Sequence, residues 1–149
     1  VAGIRSPGLT SAPAIADYAA ELLAADGLDL TEKDSYIDSR EKVHFNRLSA
    51  AERKALIEKN PAYGRVICRC ETVTEGEILD AIHSPIPPVS VDGIKRRTGA
   101  GMGRCQGGFC GPRVVDLLAR ELGVSPLTIL QDRDGSEILT AYTKGEVRA

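Results

Sequence analysis

The sequence has no tryptophan, two phenylalanines and four tyrosines, so aromatic residues make up 4% of its 149 positions. A core with so few rings has to be built from Leu, Ile, Val and Ala side chains. No apolar run approaches the roughly 20 residues of a membrane-spanning helix. The net charge is −2 with 27% charged residues, which gives no electrostatic basis for binding nucleic acid or a membrane surface.

No signal-peptide pattern is found, so we expect a cytoplasmic protein whose thiols stay reduced. The two histidines, His44 and His83, lack metal-ligand spacing to any cysteine and are expected at the surface or at helix ends. The sequence contains no recognisable Ser–His–Asp set and no pair of carboxylates arranged for catalysis. We therefore assign no catalytic residue to this chain.

The four cysteines form two close pairs, Cys68 and Cys70 as C-x-C, and Cys105 and Cys110 as C-x4-C. Disulfides fit poorly, because the C-x-C cysteines cannot easily bond to each other and cytosolic thiols stay reduced. Four thiolates suit an iron–sulfur cluster or a structural zinc ion, although neither the ferredoxin spacings nor the usual zinc spacing match. Spacing alone favours a cluster over zinc and leaves buried structural thiols as a third interpretation.

Each cysteine pair precedes a predicted helix N-terminus, where negative charge is stabilised. Thr72-Val73-Thr74-Glu75 is interpreted as a capping box, and Gly111-Pro112 suits a first helical turn. Glycines crowd the second pair and allow backbone amides to point at sulfur: Gly99, Gly101, Gly103, Gly107, Gly108 and Gly111. Basic residues also lie nearby, most of which individually are interpreted as solvated surface: Arg65, Arg69, Lys95, Arg96, Arg97, Arg104 and Arg113.

The stretches VICRCETVTEGEILDAI and VDGIKRRTGAGMGRCQGGFCGPRVVDLLAREL strongly resemble the bacterioferritin-associated-ferredoxin-like (BFD-like) domain, over about residues 64–122. The cysteine pattern of that family is matched at all four positions. Because its cysteines ligate a 2Fe–2S cluster, the resemblance implies that Cys68, Cys70, Cys105 and Cys110 are cluster ligands. Zinc stays the alternative metal.

About the first two dozen residues resemble another family. VAGIRSPGLTSAPAIA is similar to the last loop and helix of FAD-dependent oxidoreductases of the glycerol-3-phosphate dehydrogenase type. In that family the loop lies near the pyrimidine edge of the flavin, which the resemblance places at Ser6, Gly8 and Leu9. Thr10 or Ser11 is expected to cap the following helix, whose dipole would stabilise charge on reduced flavin. FAD binding is expected only in the intact parent protein.

We predict a mainly α-helical fold, with a small helix–turn–helix BFD-like domain preceded by a helical extension from a flavin domain. The predicted helices are Ala12–Ala25, Ser49 to Asn60, Val73–His83, Val91–Thr98, Pro112–Leu122 and a short one from Ser125 to Leu130. Ile138–Tyr142 is predicted as a short strand. Asp26–Asn46 is predicted as an extended connector with scattered anchors: Tyr36, Ile37, Val43 and Phe45.

The predicted domains are residues 1–25, the C-terminal tail of a flavin domain; 26–63, a connector with one helix; and 64–149, the BFD-like domain with an extension. The resemblances imply a C-terminal fragment of an FAD-dependent dehydrogenase, in which a 2Fe–2S cluster receives electrons from the flavin. Its partner is then the N-terminal FAD domain of the same protein, and its onward redox partner is not indicated. The alternative is a structural docking module that holds zinc or a cluster and has no redox role.

Overall fold

The chain is mainly helical, as predicted, in a computed structural model that describes residues 2–37, 39 and 42–144. It divides into two compact units, Val1–Glu41 and Lys42–Ala149. The elements are α1 Gly8–Ala25, α2 Ala50–Lys59, β1 Val66–Cys68, β2 Val73–Thr74, α3 Glu75–Ile82, α4 Val91–Thr98 and α5 Gly111–Leu122. Short 3-10 turns cover Phe45–Arg47, Pro61–Gly64 and Pro126–Thr128. Across the described residues, no helix combines the length and apolar character needed to cross a membrane.

The boundary between the two units falls inside the connector that the sequence predicts at residues 26–63. Helix α2, which we assigned to this connector, belongs to the second unit and packs on the turn Pro61–Gly64. The three domain limits at residues 25, 63 and 149 stay predictions, because a division into compact units does not mark the edge of a flavin domain.

Helix α1 of the first unit begins at Gly8, earlier than the predicted Ala12. Its N-cap position holds Pro7, which makes no side-chain capping bond, so the prediction of a cap at Thr10 or Ser11 is wrong. Those hydroxyls lie inside the helix instead of before it. The helix ends before Gly27, as predicted, where a φ of 90° suits glycine. None of the residues of α1 is buried.

Helix α2 begins at a predicted capping box. The Ser49 hydroxyl accepts from the Glu52 amide at 3.3 Å, and the Glu52 carboxylate accepts from the Ser49 amide at 2.7 Å. Just before it, Phe45 is buried against α2, where the Arg53 guanidinium lies 5.2 Å from its ring centre. Among the predicted anchors of the connector, Phe45 is therefore the buried one.

The remaining anchors behave differently. Tyr36 and Ile37 are exposed, and Val43 is half-buried. The pattern of isolated apolar residues in a charged segment does not distinguish these positions, because their burial depends on what packs beside them.

The core of the second unit lies between α3, α4 and α5. Ile78, Ile94 and Leu118 contribute one fully buried side chain from each helix. The predicted face of α5 is confirmed: Val114 and Leu117 are also buried, at the i, i+3, i+4 spacing of a helix that packs on one side. This core brings together the ends of β1 and α5, which carry cysteines.

The hairpin changes the predicted start of α3. Val73 pairs with Cys68 in an antiparallel ladder, so it belongs to β2 and not to the helix. The capping box is formed by Thr74 and Glu77, two positions after the predicted set. Thr72 cannot cap here, because it turns through a positive φ of 54° between the two strands.

The tail after α5 also departs from the prediction. Ser125 caps the short turn Pro126–Thr128, in agreement with the expected Ser-Pro start. The strand predicted at Ile138–Tyr142 does not form in the structure. Leu130 makes single bridges to Ser90 and to Glu137, but no described neighbouring segment runs alongside residues 138–142 to extend a ladder.

A buried carboxylate joins the hairpin to two helices. Glu75, at the start of α3, is 6% exposed and accepts hydrogen bonds from the guanidinium groups of Arg65 and Arg120, the latter at 3.1 Å. The bond from Arg65 lowers the pKa of Glu75 most, burial opposes that effect, and Arg120 lowers the pKa further. The charged form of Glu75 is thus the form that the fold stabilises.

Replacing Glu75 by Gln should lower the free energy of unfolding by about 1–2 kcal/mol at neutral pH, because the two guanidinium groups lose their negatively charged acceptor and one of its two oxygens. Since the folded-state pKa is depressed, this stabilisation is complete above the ordinary carboxyl pKa of about 4.3 and disappears as the pH falls through the folded value. Urea unfolding of both proteins at several pH values measures the difference. Glu58→Gln, in an exposed pair with Lys54 at 3.9 Å, is the control and should cost at most about 0.5 kcal/mol. Equal losses of unfolding free energy in the two variants would contradict a stabilising role for the charge of Glu75.

Candidate metal centre

The four cysteines come from two loops that the core brings together. Cys68 ends β1 and Cys70 lies in the turn that leads to β2. Cys105 lies in the glycine-rich loop after α4, and Cys110 occupies the N-cap position of α5. The loop begins where Gly99 ends α4 in the left-handed region, with a φ of 83°, and reverses the chain toward the hairpin.

All four sulfur-bearing side chains line one cavity of about 310 Å³. The Sγ atoms of Cys70 and Cys105 are 3.6 Å apart, and the side chains of Cys68 and Cys110 contact each other. Each of these two contacts joins one loop to the other. The remaining residues that line the cavity are Ile67, Arg69, Arg104, Phe109 and Arg113.

The two cross-loop pairs differ in burial. Cys68 and Cys110 are 1% and 2% exposed and belong to the hydrophobic core. Cys70 is exposed and Cys105 is half-buried, and all four are free thiols. The site is therefore anchored in the core on one side and opens to solvent on the other.

Backbone amides approach the sulfur of Cys105, as the glycine pattern predicts. The amide of Phe109 contributes most to lowering the pKa of Cys105, followed by the hydrogen bond with Cys70 and by the amides of Gly107 and Gly108. The positive φ of 84° at Gly107 is what turns this loop back over the sulfur. Such amides stabilise a thiolate and would equally stabilise a sulfur that carries negative charge in a metal complex.

Cys110 has the opposite environment. Burial raises the pKa of its thiol to about 11, and the neighbouring Cys68 adds to the effect. Two buried thiolates would repel each other in this core unless a cation neutralised them. Cys110 directly precedes α5, whereas the hairpin separates Cys68 and Cys70 from α3, so the prediction that each sequence pair stands just before a helix holds only for the second pair.

A single glycine allows the loops to approach so closely. A Cβ atom at Gly103 would lie 2.1 Å from the Cβ of Cys70 and 3.3 Å from its sulfur. No larger residue fits that position without moving the cysteine loop. Gly111, in the same segment, would have no atom within 4 Å of an added Cβ.

The donor set fits a cluster that takes four thiolates, two at each of two irons. Two sulfurs bound at about 2.3 Å to one tetrahedral metal are about 3.8 Å apart, close to the 3.6 Å between Cys70 and Cys105. Within the described part of the chain, no group of three or more His, Cys, Asp or Glu side chains is arranged to hold one metal ion. That the four cysteines are ligands stays a prediction.

Other predicted residues lie elsewhere. His83 ends α3 and its Nε2 atom is 2.9 Å from Glu121, while His44 precedes the turn Phe45–Arg47; both positions agree with the helix-end prediction. Phe109 is 83% exposed at the rim of the cavity, and no motif of the sequence predicts this position. Its position next to Cys110 was the only available signal.

The predicted flavin contacts belong to the first unit. Ser6, Gly8 and Leu9 line an open concavity of about 820 Å³ at the start of α1. Gly8 also has a local reason to be glycine, since an added Cβ would lie 2.8 Å from Cγ2 of Ile4. No described feature of this concavity identifies its ligand, so the flavin contacts stay predictions.

Comparison with known families identifies the segment that contains all four cysteines. Residues 66–120 match the family described as BFD-like [2Fe-2S] binding domain. These limits agree with the resemblance deduced from the sequence, at about residues 64–122.

Three curated relatives indicate the proteins in which similar segments occur. Glycerol 3-phosphate dehydrogenase of Caloramator mitchellensis is 50% identical over 149 residues, which are 99% of this chain and 31% of the relative. Hydrogen cyanide synthase subunit HcnB of Pseudomonas aeruginosa is 38% identical over 95 residues, 56% of this chain and 20% of the relative. One subunit of the anaerobic glycerol-3-phosphate dehydrogenase of Escherichia coli is 36% identical over 66 residues, 44% of this chain and 12% of the relative.

The chain thus spans less than a third of the length of these relatives. No solved structure matches it with significance.

Replacing Gly103 by Ala should prevent the approach of the two cysteine loops and remove most of the iron and sulfide taken up in anaerobic reconstitution. The reason is the 2.1 Å contact with Cys70, which cannot relax without separating Cys70 from Cys105. The measurement is the iron content together with the visible absorption of the reconstituted protein. Gly111→Ala is the matched control and should load normally, because its added methyl group meets no atom. Full loading of both variants would show that the close approach is not required.

Proposed function

Since residues 66–120 of this chain form a BFD-like 2Fe–2S binding domain, we propose that Cys68, Cys70, Cys105 and Cys110 ligate one 2Fe–2S cluster. The observation that carries the proposal is the convergence of four thiols from two separate loops on one cavity. Bound there, the cluster supplies one-electron chemistry.

The residues of the chain have distinct tasks in this proposal. Cys68 and Cys110 tie the site to the hydrophobic core and exclude water from its inner side. The amides of residues 107–109 donate toward the sulfur of Cys105 and offset its negative charge. Cys70, which is exposed, places the outer edge of the site within reach of an electron donor or acceptor.

The proposed parent is an FAD-dependent dehydrogenase that oxidises glycerol 3-phosphate. Support comes from the relative named glycerol 3-phosphate dehydrogenase, whose similarity covers nearly the whole chain, including the first unit. The shorter match to a hydrogen cyanide synthase subunit indicates that related segments occur with other activities. We therefore infer the substrate from the relative that matches nearly the whole chain, and the cluster from residues 66–120, which match the family model.

The proposed flavin contact is the N-terminus of α1, with Ser6, Gly8 and Leu9 beside it. The first turn of this helix has no acidic side chain to neutralise the positive end of its dipole. The positive end of this helix suits the negative charge of a reduced flavin. The partner of this chain is then the FAD domain of the same protein, in the cytoplasm.

Anaerobic reconstitution of the native chain should give about two irons per chain, a red-brown colour that dithionite bleaches, and an electron paramagnetic resonance signal in the reduced state. Serine at any of the four cysteine positions should lower the iron content, because each thiolate is a ligand. Far-UV circular dichroism of each variant controls for loss of folding. Stoichiometric zinc without iron uptake would overturn the proposal and favour the structural module.

In the intact parent protein, glycerol 3-phosphate should first bleach the flavin and then reduce the cluster. Stopped-flow spectra at flavin and cluster wavelengths separate the two steps, because the cluster accepts electrons only after the flavin holds them. A cluster that stays oxidised with excess substrate would argue for a structural role. Tight FAD binding by the isolated chain would contradict the assignment of the first unit.

A further inference from the structure

Three arginines that line the cysteine cavity have no carboxylate partner in the part of the chain that the structure describes. Arg69, Arg104 and Arg113 are exposed, and none of them takes part in an ion pair or side-chain hydrogen bond among the described residues. Elsewhere in this unit Arg65 and Arg120 pair with Glu75 and Arg96 pairs with Asp132, whereas the side chain of Arg133 makes no ion pair among the described residues either. What distinguishes Arg69, Arg104 and Arg113 is that their unpaired charges lie together at the cysteine cavity.

Their positions follow the cysteines closely. Arg69 lies between Cys68 and Cys70, and Arg104 directly precedes Cys105. Arg113 lies in the first turn of α5, which begins directly after the N-cap position that Cys110 occupies. Each of the two loops and the helix therefore supplies one positive charge to the same opening.

The position of Arg113 is unfavourable for the helix itself. The N-terminus of a helix carries a partial positive charge, so a cation in the first turn is repelled and an anion is preferred. No acidic residue compensates in the first turn of α5. A cation at this place is stabilised only if negative charge lies next to it. A cluster bound in the cysteine cavity would supply that negative charge.

The charge of the cluster changes when it accepts an electron. An oxidised 2Fe–2S cluster with four thiolates is a dianion, and one-electron reduction makes it a trianion. The carboxylate of Glu71 is the opposing charge nearby, since its Oε1 atom would lie 3.0 Å from a Cβ added at Gly103. The arginines outnumber it, so the surroundings of the site favour the more negative state.

We propose that Arg69, Arg104 and Arg113 form a cationic rim that stabilises the reduced cluster and raises its reduction potential. The inference rests on the proposed function, because it requires a cluster at the four cysteines. The electron enters from a one-electron donor, which is dithionite in the test below, and no bond to the protein forms or breaks. The arginines act through the cluster and do not bind it.

The test is a dye-mediated redox titration of the reconstituted native chain and of the triple variant R69Q/R104Q/R113Q. Exposed charges each contribute little, so the three together should lower the equilibrium constant of reduction by about tenfold, which is about 59 mV for one electron. The single variants should each give part of that shift. Added salt should narrow the difference in potential between the native chain and the triple variant, because screening weakens the interaction of the arginines with the cluster.

Two further variants separate charge from structure. Arg113→Lys keeps the charge and should retain a potential near the native value, although it changes the side chain. Arg133→Gln removes an exposed arginine that does not line the cavity and should leave the potential unchanged. In the protein without cluster, Arg113→Gln should not reduce the stability of α5, because the cation is unfavourable for the helix.

The outcomes distinguish this inference from the proposed function. Normal iron content with equal potentials in the native, triple and control proteins overturns the rim and leaves the cluster in place. Failure of the native chain to take up iron overturns both. A lower potential in the triple variant, with a native-like potential in Arg113→Lys, supports the rim.

Discussion

The contact between the hairpin turn and the glycine-rich loop is the constraint on which the site depends. Gly103 lies against Cys70 with no room for a side chain, and the contact brings Cys105 within 3.6 Å of Cys70. The two loops are separated by α3 and α4, so closing them costs chain entropy. Packing of Ile78, Ile94 and Leu118 between the helices supplies the free energy that holds the loop ends together before any metal binds.

Two groups of charged or ionisable residues in the described part of the second unit differ in how their charge is balanced. Around Glu75, a buried carboxylate is neutralised by arginines that the protein supplies, and the group needs nothing from outside. Around the cysteines the balance is incomplete, because two buried thiols and three arginines without a carboxylate partner among the described residues face one cavity. Buried groups of this kind are stable as neutral thiols or as thiolates held by a cation. The proposed cluster resolves the imbalance, since its irons neutralise the thiolates and its net negative charge suits the arginines.

The sequence predicts those features that depend on local rules. The capping box of Ser49 and Glu52, the limits of α4 and the apolar face of α5 all follow from spacing within one turn or one helix. The sequence does not fix the start of α3, because Thr72 and Thr74 each have a Glu three positions later and either could form a capping box. The pairing of Val73 with Cys68 places Val73 in a strand, so the helix begins after Thr74. The prediction of a strand at residues 138–142 is wrong for a related reason. A strand forms only beside a second strand, and the local residue pattern does not show whether one is present. The cysteines were recognisable from their pattern, whereas the arginines were not, because only the fold shows which of them lie at the cavity and lack a carboxylate.

Helix α1 presents the opposite situation to the core of the second unit. It has 18 residues, none of them buried, with Leu22 and Leu23 about half exposed and Leu9 almost fully so. Helices in proteins gain most of their stability from the packing of an apolar face, and Pro13 removes one of the internal hydrogen bonds of this helix. The apolar side chains of α1 therefore gain little packing stabilisation within the first unit. The proposed FAD domain of the same protein would cover the exposed leucines of α1 and would place its cofactor at the first turn of this helix.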